Sequence, residues 1–297
     1  MRNILLPTDF SENAWNAISY AIKLFKEEEC VFHLLNTYTP AIASNRFMAS
    51  SINENILNGE SYSKNGLKRT IERITNKFGI NSHRFKTHSS FSLLVDQIKE
   101  LVQNEDIDIV VTGTKGASGL KEVFMGNNTV RILKGIRDCP VLVIPQYFDF
   151  TNLKEIAFAT DFNRFYTKSE LRPLKDLAII FNATVRIVHV QHEIKTLSEL
   201  QQFNLDMLRK YLDEVEHFVH TVSELNSISQ TLRVFTNELD IHLLAMLNYQ
   251  HSYMEKITRE PVVKSLTFHT QIPLLIIPEL GMSKTMKSND KVSVSSV

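Results

Sequence analysis

The sequence contains few of the residues that dominate disulfide-rich, membrane and fibrous proteins. Two cysteines, Cys30 and Cys139, occur in 297 residues. That number is too small for a disulfide framework, and their spacing fits no metal motif, so we expect two buried, reduced thiols. No run of eighteen apolar residues occurs, and the sequence therefore predicts no membrane-spanning helix.

Net charge is also absent, because 33 Lys and Arg residues balance 33 Asp and Glu residues. A neutral chain has no strong field to hold a polyanion by counterion release, so nucleic acid is not predicted as a partner. The apolar run near the start, Ile4–Leu6, is too short for the core of a signal peptide, and we expect a cytoplasmic location. The length of the chain favours two globular domains.

Apolar runs and helical periodicity alternate through the first half. A run at Ile4–Leu6 precedes a turn, and apolar positions from Ala14 to Phe25 then follow one face of a helix that Ser11 can cap. Further strands are predicted at 31–36, 83–88, 107–112 and 140–145, and further helices at 66–78, 93–102 and 129–134. Residues 40–66, rich in Ser and Asn, are predicted to be a flexible excursion. Alternating strands and helices indicate an α/β fold whose parallel sheet is covered on both faces.

The pattern begins again after residue 150. Ala159-Thr160-Asp161-Phe162 repeats the form of Pro7-Thr8-Asp9-Phe10, and the Pro-bounded run at 273–278 repeats the run at 140–145. Two copies of one fold are the economical interpretation. We predict domains at 1–146 and 153–278 and a disordered tail at 281–297.

Glycine is scarce except in one stretch. Five of the nine glycines fall between residues 113 and 135, and Gly113 and Gly116 come directly after a predicted strand. Gly126 stands just before a predicted helix. Ligands of open parallel sheets bind outside the carboxyl ends of the strands, and glycine lets backbone N–H groups approach a phosphate closely. Phosphate binding is therefore the favoured interpretation of this loop, and a purely structural loop is the alternative.

The string Gly113-x2-Gly116-x9-Gly126-Asn127 resembles the nucleotide motif of the universal stress protein (UspA-like) family. The Pro7-Thr8-Asp9 opening and the Asp138–Val143 ending are also similar to that family. The resemblance covers residues 1–146 closely and 153–278 more weakly. It implies two tandem open parallel five-stranded sheets, each with strand order 3-2-1-4-5, of the adenine nucleotide alpha hydrolase-like type.

The resemblance also implies a cofactor and the residues that bind it. ATP, accompanied by Mg²⁺, would lie across the strand ends, with Asp9 on ribose and adenine and Thr37 on adenine. The alternative for Asp9 is a turn-forming or helix-capping carboxylate, with the ligand contact as the favoured interpretation. Asn127 replaces the usual hydroxyl residue of the motif. The full cofactor-binding set predicted in this way is Pro7, Thr8, Asp9, Thr37, Thr112, Gly113, Gly116, Gly126, Asn127, Asn128 and Thr129.

The second copy lacks the loop, since no glycine occurs between Ile136 and Leu280. The corresponding stretch, 248–253, carries bulky side chains, and Glu260 and Pro261 at the next predicted helix would disfavour phosphate. We therefore expect a nucleotide-free second domain.

The function implied is a stress-response regulatory protein that binds an adenine nucleotide in its first domain, while the second domain packs or docks a protein partner. The alternative is an interaction protein that binds no nucleotide and whose sites have decayed in both domains. Slow ATP hydrolysis is a further alternative, although the sequence contains no recognisable catalytic base, nucleophile or metal site. By resemblance, the strands at 140–145 and 273–278 would pair into an intramolecular pseudo-dimer, and the chain could further form a homodimer.

Overall fold

The computed structural model describes residues 1–38, 51–80, 84–114, 127–249 and 271–279, and of residues 51–57 and 127 only the backbone. The first half contains strands β1 (Arg2–Pro7), β2 (Cys30–Thr37), β3 (Phe85–Ser90), β4 (Ile109–Gly113) and β5 (Val141–Ile144). Its helices are α1 (Glu12–Leu24), α2 (Ser51–Phe78), α3 (Leu94–Asn104) and α4 (Asn127–Gly135).

The second half repeats most of this order. Its strands are β6 (Glu155–Ala159), β7 (Thr184–Gln191), β8 (His217–Ser223), β9 (Leu243–Asn248) and β10 (Leu274–Pro278). Its helices among the described residues are α5 (Lys168–Phe181), α6 (Glu199–Tyr211) and α7 (Ile228–Glu238). The boundaries predicted for the two domains stay predictions, and the predicted tail at 281–297 lies outside the described residues.

All ten strands form a single sheet in the order β3-β2-β1-β4-β5-β10-β9-β6-β7-β8. Each half has the predicted 3-2-1-4-5 order and is parallel throughout. The two halves meet where β5 and β10 pair antiparallel, with Leu142 opposite Leu275. The expected internal pairing of the closing strands is therefore present, and it joins the two predicted sheets into one.

The alternation of side chains along each strand builds two cores. Ile4 and Leu6 face α1 and α2, whereas Leu5 faces α3 and α4. Each core runs through both halves of the chain, since the first also contains Leu171 of α5 and the second Leu232 of α7. The molecule thus has helices on both faces of the sheet, as the sequence predicts.

Helix α2 departs most from the sequence prediction. It begins at Ser51, within the stretch predicted as a flexible excursion, and spans 28 residues. Gly59 lies against the ring of Tyr38, and Gly66 lies against the ring of Phe10. The two glycines weaken the helical pattern in the sequence, and their lack of a side chain is what lets this helix approach the strand ends.

Polar contacts hold the segment that connects the halves and also join the halves directly. The Asn16 amide of α1 donates to the carbonyls of Pro145 and Phe148 at 3.0 and 3.3 Å. Arg2 pairs with Asp176 of α5 at 3.0 Å. Both cysteines are free and buried, as predicted, and burial raises the pKa of Cys30 to about 11. No helix in the described part of the chain is long and apolar enough to cross a bilayer.

Candidate functional site

The predicted site residues come from strands that are neighbours in the sheet. β1 lies between β2 and β4, so the carboxyl ends that carry Asp9, Thr37 and Gly113 share one edge. The N–H of Thr8 donates to the Leu35 carbonyl at 2.8 Å, which continues the β1–β2 ladder past Pro7. This edge is the topological switch point of the first half, where ligands of open parallel sheets bind.

The turn after β1 is built by its own side chains. The N–H of Phe10 donates to Oγ1 of Thr8 at 3.0 Å, and the N–H of Ser11 donates to Oδ1 of Asp9 at 3.0 Å. Phe10 has the left-handed φ of 64° that this turn requires. Asn36 holds the turn from β2 through a 2.7 Å bond from its amide to the Thr8 carbonyl. Asp9 is therefore a turn-forming residue.

Turn formation uses only part of the Asp9 carboxylate. Asp9 is exposed, and its Oδ2 has no hydrogen-bond partner among the residues that the structure describes. A carboxylate has about four acceptor sites, so Asp9 keeps free acceptors at the strand-end edge. The structural and ligand-binding interpretations of this residue are therefore compatible.

The junction between β4 and α4 forms the other side of the site. The Thr129 hydroxyl donates to the Gly113 carbonyl at 2.9 Å, which ties the first turn of the helix to the end of the strand. A Cβ on Gly113 would lie 2.7 Å from Nδ2 of Asn13, so close packing alone requires glycine there. Helix α4 begins at Asn127, with the positive end of its dipole toward the same edge.

The remaining predicted residues fall on both sides of a gap in the described chain. Thr112 is buried within β4, and Asn128 is exposed in the first turn of α4. Gly116 and Gly126 lie outside the described residues.

Two polar residues at this edge were missed by the sequence analysis. Thr114 is 1% exposed, and neither its hydroxyl nor Oδ1 of Asn13 has a hydrogen-bond partner in the described part of the structure. Buried polar atoms are usually paired with protein, water or ligand. Asn13 follows Asp9 by one helical turn, but nothing in the sequence distinguishes it from a surface asparagine.

These features suit the sugar and phosphates of a nucleotide. The second Asp9 oxygen matches hydroxyl donors, and the N–H groups that the first turn of any helix leaves without intrahelical partners match phosphate oxygens. Within the described ranges, no group of three His, Cys, Asp or Glu side chains could hold a metal by itself.

The same edge of the second half is filled by side chains. Asp161, the counterpart of Asp9, is only 6% exposed and accepts a short hydrogen bond from the Tyr249 hydroxyl. The Arg164 guanidinium lies 5.2 Å from the centre of the Tyr249 ring and pairs with Glu170 at 2.6 Å. Burial, followed by the negative charge of Asp161, raises the pKa of Tyr249 above its usual range.

The turn itself is repeated in the second half. Phe162 has a φ of 56°, and the N–H of Asn163 donates to Asp161 at 3.1 Å. His189 takes the place of Asn36, and its Nδ1 lies 3.0 Å from the Thr160 carbonyl. Since a carbonyl only accepts, His189 must carry its proton on Nδ1. The fold of the turn is retained, and Tyr249 occupies the space beside its carboxylate. Glu260 and Pro261 lie outside the described residues.

Comparison with known proteins supports this assignment of the fold. Residues 1–145 match the universal stress protein family. Universal stress protein MJ0577 of Methanocaldococcus jannaschii is 28% identical over 153 residues, which cover 48% of this chain and 94% of that protein. Universal stress protein G of Salmonella typhimurium is 24% identical over 147 residues, covering 48% of this chain and 98% of that protein.

Both halves together resemble a solved structure. A universal stress protein from Archaeoglobus fulgidus superimposes with a TM-score of 0.66 at 16% identity, covering 93% of this chain and 98% of that one. This likeness concerns the fold alone. From the match of the first half and the motif residues at its strand ends, residues 1–145 form a domain of the universal stress protein family, and the second half repeats its topology.

Proposed function

We propose that the protein binds ATP, or another adenine nucleotide, in its first half and acts as a stress-response regulatory protein in the cytoplasm. The observation that carries the proposal is the contrast between two equivalent carboxylates. Asp9 is exposed, and its Oδ2 has no hydrogen-bond partner in the described ranges, whereas Asp161 is buried under Tyr249. Among the described residues, the first half therefore leaves acceptors for a ligand where the second half has a side chain.

In this proposal each predicted residue has a role. Asp9 accepts from the ribose hydroxyls, Thr37 contacts adenine, and the segment 113–129 with the start of α4 holds the phosphates. Mg²⁺ would accompany a bound triphosphate and neutralise part of its charge. The second half supports the sheet and supplies a surface for a protein partner.

Isothermal titration calorimetry with ATP and Mg²⁺ tests the proposal on three proteins: the wild type, Asp9→Ala and Asp161→Ala. A hydrogen bond to a charged group contributes about 1.5–3 kcal/mol, so Asp9→Ala should weaken binding roughly 10- to 100-fold. Asp161→Ala makes the same chemical change at the equivalent position of the second half. It should leave the dissociation constant unchanged.

Two results would overturn the proposal. One is the absence of heat with the wild type, combined with no nucleotide among the small molecules released from the denatured, freshly purified protein. The other is equal weakening by Asp9→Ala and Asp161→Ala. Either result would favour the interaction protein without nucleotide. Phosphate release that follows the protein through gel filtration and disappears in Asp9→Ala would extend the proposal to slow hydrolysis.

A further inference from the structure

A cavity of about 310 Å³ opens between α1 and α2. Thr8, Phe10 and Ser11 line it from the turn after β1, and Gly66 and Thr70 line it from α2. Of the predicted nucleotide-binding residues, Thr8 lines it, whereas Asp9, Thr37, Gly113 and Thr129 do not. The cavity therefore lies on the helix side of the turn, next to the strand-end edge, with a volume at the lower end of the range of small-molecule sites.

Aromatic rings form the walls of this cavity. Trp15 of α1 is 8% exposed, and the rings of Phe10 and Tyr62 meet edge to face at 5.7 Å. Gly66 lets the Phe10 ring pack directly against α2, since a Cβ there would lie 2.3 Å from that ring. Flat apolar walls of this kind favour a planar ring as the occupant.

Two guanidinium groups give the cavity its charge. Arg73 is already neutralised by Glu12 through bonds of 2.9 and 3.1 Å, and it stacks on Trp15 at 3.8 Å. The Arg73 guanidinium lowers the pKa of Glu12, so this pair stays ionised. Arg69 makes no ion pair with any residue that the structure describes, and it lines the cavity. The excess charge is therefore positive, and it sits beside the hydroxyls of Ser11 and Thr70.

The second half packs the corresponding region. The Phe162 ring is fully buried and lies 4.8 Å from the His189 ring. The Asn204 amide of α6 donates to the Phe162 carbonyl at 2.8 Å. In the first half, the same turn faces Gly66 and the cavity instead. The open space is thus a property of one copy and does not follow from the shared fold.

We propose that this cavity binds a small aromatic molecule with one anionic group. The ring lies between Trp15, Phe10 and Tyr62, and the carboxylate or phosphate pairs with Arg69. Arg suits such an anion because its fork of N–H donors can bind two oxygens at once. This site adjoins the nucleotide site at the turn after β1, but different side chains hold the ring and the anion.

The chain provides its own reporter, since Trp15 is its one tryptophan. Phenyl phosphate is the probe, and it is titrated while Trp15 fluorescence is excited at the red edge of the indole band. The wild type should give a saturable change. Arg69→Gln should raise the dissociation constant about tenfold or more, since it removes a charge-assisted pair. Lys68→Gln removes a neighbouring exposed charge from α2 outside the cavity, and it should bind like the wild type.

Benzyl alcohol, which has the ring without the charge, should bind the wild type and Arg69→Gln equally weakly. The phenyl phosphate titration repeated in excess ATP should give an unchanged dissociation constant. A fluorescence change that never saturates, equal affinity in Arg69→Gln and the wild type, or competition by ATP would each overturn the proposal. Either of the first two results would show that the cavity is not a binding site for the probe. Competition by ATP would show that the probe binds at the strand-end edge instead.

Discussion

Tyr249 and the residues around it show how one side chain can make the strand-end sites of two copies of a fold different. Asp9 and Asp161 both accept the N–H two residues ahead, at 3.0 and 3.1 Å, so both stabilise the same turn. Only Asp161 also accepts from a tyrosine hydroxyl. The aspartate that both copies retain therefore indicates only that the turn is present. The residue at the end of the neighbouring strand determines whether a ligand has space beside that aspartate.

Tyr249→Phe removes the hydroxyl and leaves the buried Asp161 carboxylate without that donor. We expect the free energy of unfolding to fall by about 1–3 kcal/mol, which is the usual cost of an unmet buried acceptor. Urea denaturation measures the change, and Tyr147→Phe is the matched control because Tyr147 is 82% exposed. Equal effects of the two substitutions would contradict the role assigned to the Tyr249 hydroxyl.

A pair of stacked histidines lies in the first half. The rings of His33 in β2 and His88 in β3 are 5.3 Å apart and nearly parallel, with Nδ1 of His33 3.1 Å from Nε2 of His88. Nε2 of His33 lies 3.2 Å from Oδ1 of Asn3, so it donates there, and Nδ1 accepts from His88. Burial, followed by the charges of His88 and Lys86, lowers the pKa of His33 to about 4, against a smaller opposing effect of Glu105.

This histidine predicts a pH dependence of stability. The unfolded chain binds a proton at His33 near the ordinary pKa of 6.5, whereas the folded chain binds it only near 4. The stabilisation by neutral His33 is therefore complete above pH 6.5 and is lost as the pH falls toward 4, by on the order of 3 kcal/mol. Urea denaturation across this range should give a flatter profile for His33→Gln than for the wild type. His192→Gln, at an exposed loop position, should keep the wild-type profile, and three identical profiles would contradict the prediction.

Among the elements, α2 shows what a sequence pattern can and cannot predict. Strands with continuous apolar runs and helices with strong periodicity, such as α1 with its Ser11 cap, were predicted close to their observed bounds. The first part of α2 carries Gly59, Gly66 and polar residues, so local propensity argues against a helix. The rings of Tyr38 and Phe10, which are distant in sequence, explain those glycines. Contacts of this kind cannot be read from spacing alone.

Gly66→Ala tests that explanation. Alanine stabilises an isolated helix by about 1 kcal/mol relative to glycine, but here the new Cβ would lie 2.3 Å from the Phe10 ring. We expect a net loss of about 1–3 kcal/mol in the free energy of unfolding, since the Phe10 ring must move out of its contact with α2 to make room for the Cβ. Asn65→Ala changes the adjacent exposed residue and should be neutral or slightly stabilising.

Adding Gly66→Ala to a Phe10→Ala variant tests whether the Phe10 ring causes this loss of stability. In Phe10→Ala, the ring is absent, so adding Gly66→Ala should cost nothing or even stabilise the protein. Urea denaturation of the four proteins gives the coupling energy directly. A penalty that is equal in both backgrounds would show that Phe10 is not the reason for glycine at this position.

The position of the candidate site residues could be predicted from the sequence, whereas their role in binding stays a prediction. The spacing of Asp9, Gly113 and Thr129 indicates one strand-end edge, because parallel neighbours end together. The filling of the second site was expected from its bulky residues, yet the hydrogen bond from Tyr249 to Asp161 depends on how two loops meet. Asn13 and Thr114 were missed for the same reason, since burial decides their importance.

At the scale of the whole molecule, the two halves share their sheet and their cores. β5 and β10 pair through Val141–Val143 and Leu274–Ile276, and both hydrophobic cores contain residues of each half. The Asn248 amide at the end of β9 also donates to the Leu133 carbonyl of α4 at 3.1 Å. Because both cores run through the two halves, unfolding one half alone would expose core residues of the other half. Separate unfolding of the halves is therefore disfavoured.

We therefore expect the chain to unfold in one cooperative transition. Trp15 reports only on the first half, whereas far-ultraviolet circular dichroism reports on both, and the two urea transitions should coincide. Tyr249→Phe, a lesion in the second half, should shift the Trp15 transition as far as it shifts the circular dichroism. A Trp15 transition that stays at the wild-type urea concentration would show that the halves unfold separately. In that case, the antiparallel pairing of β5 with β10 would join two structures without coupling their stabilities.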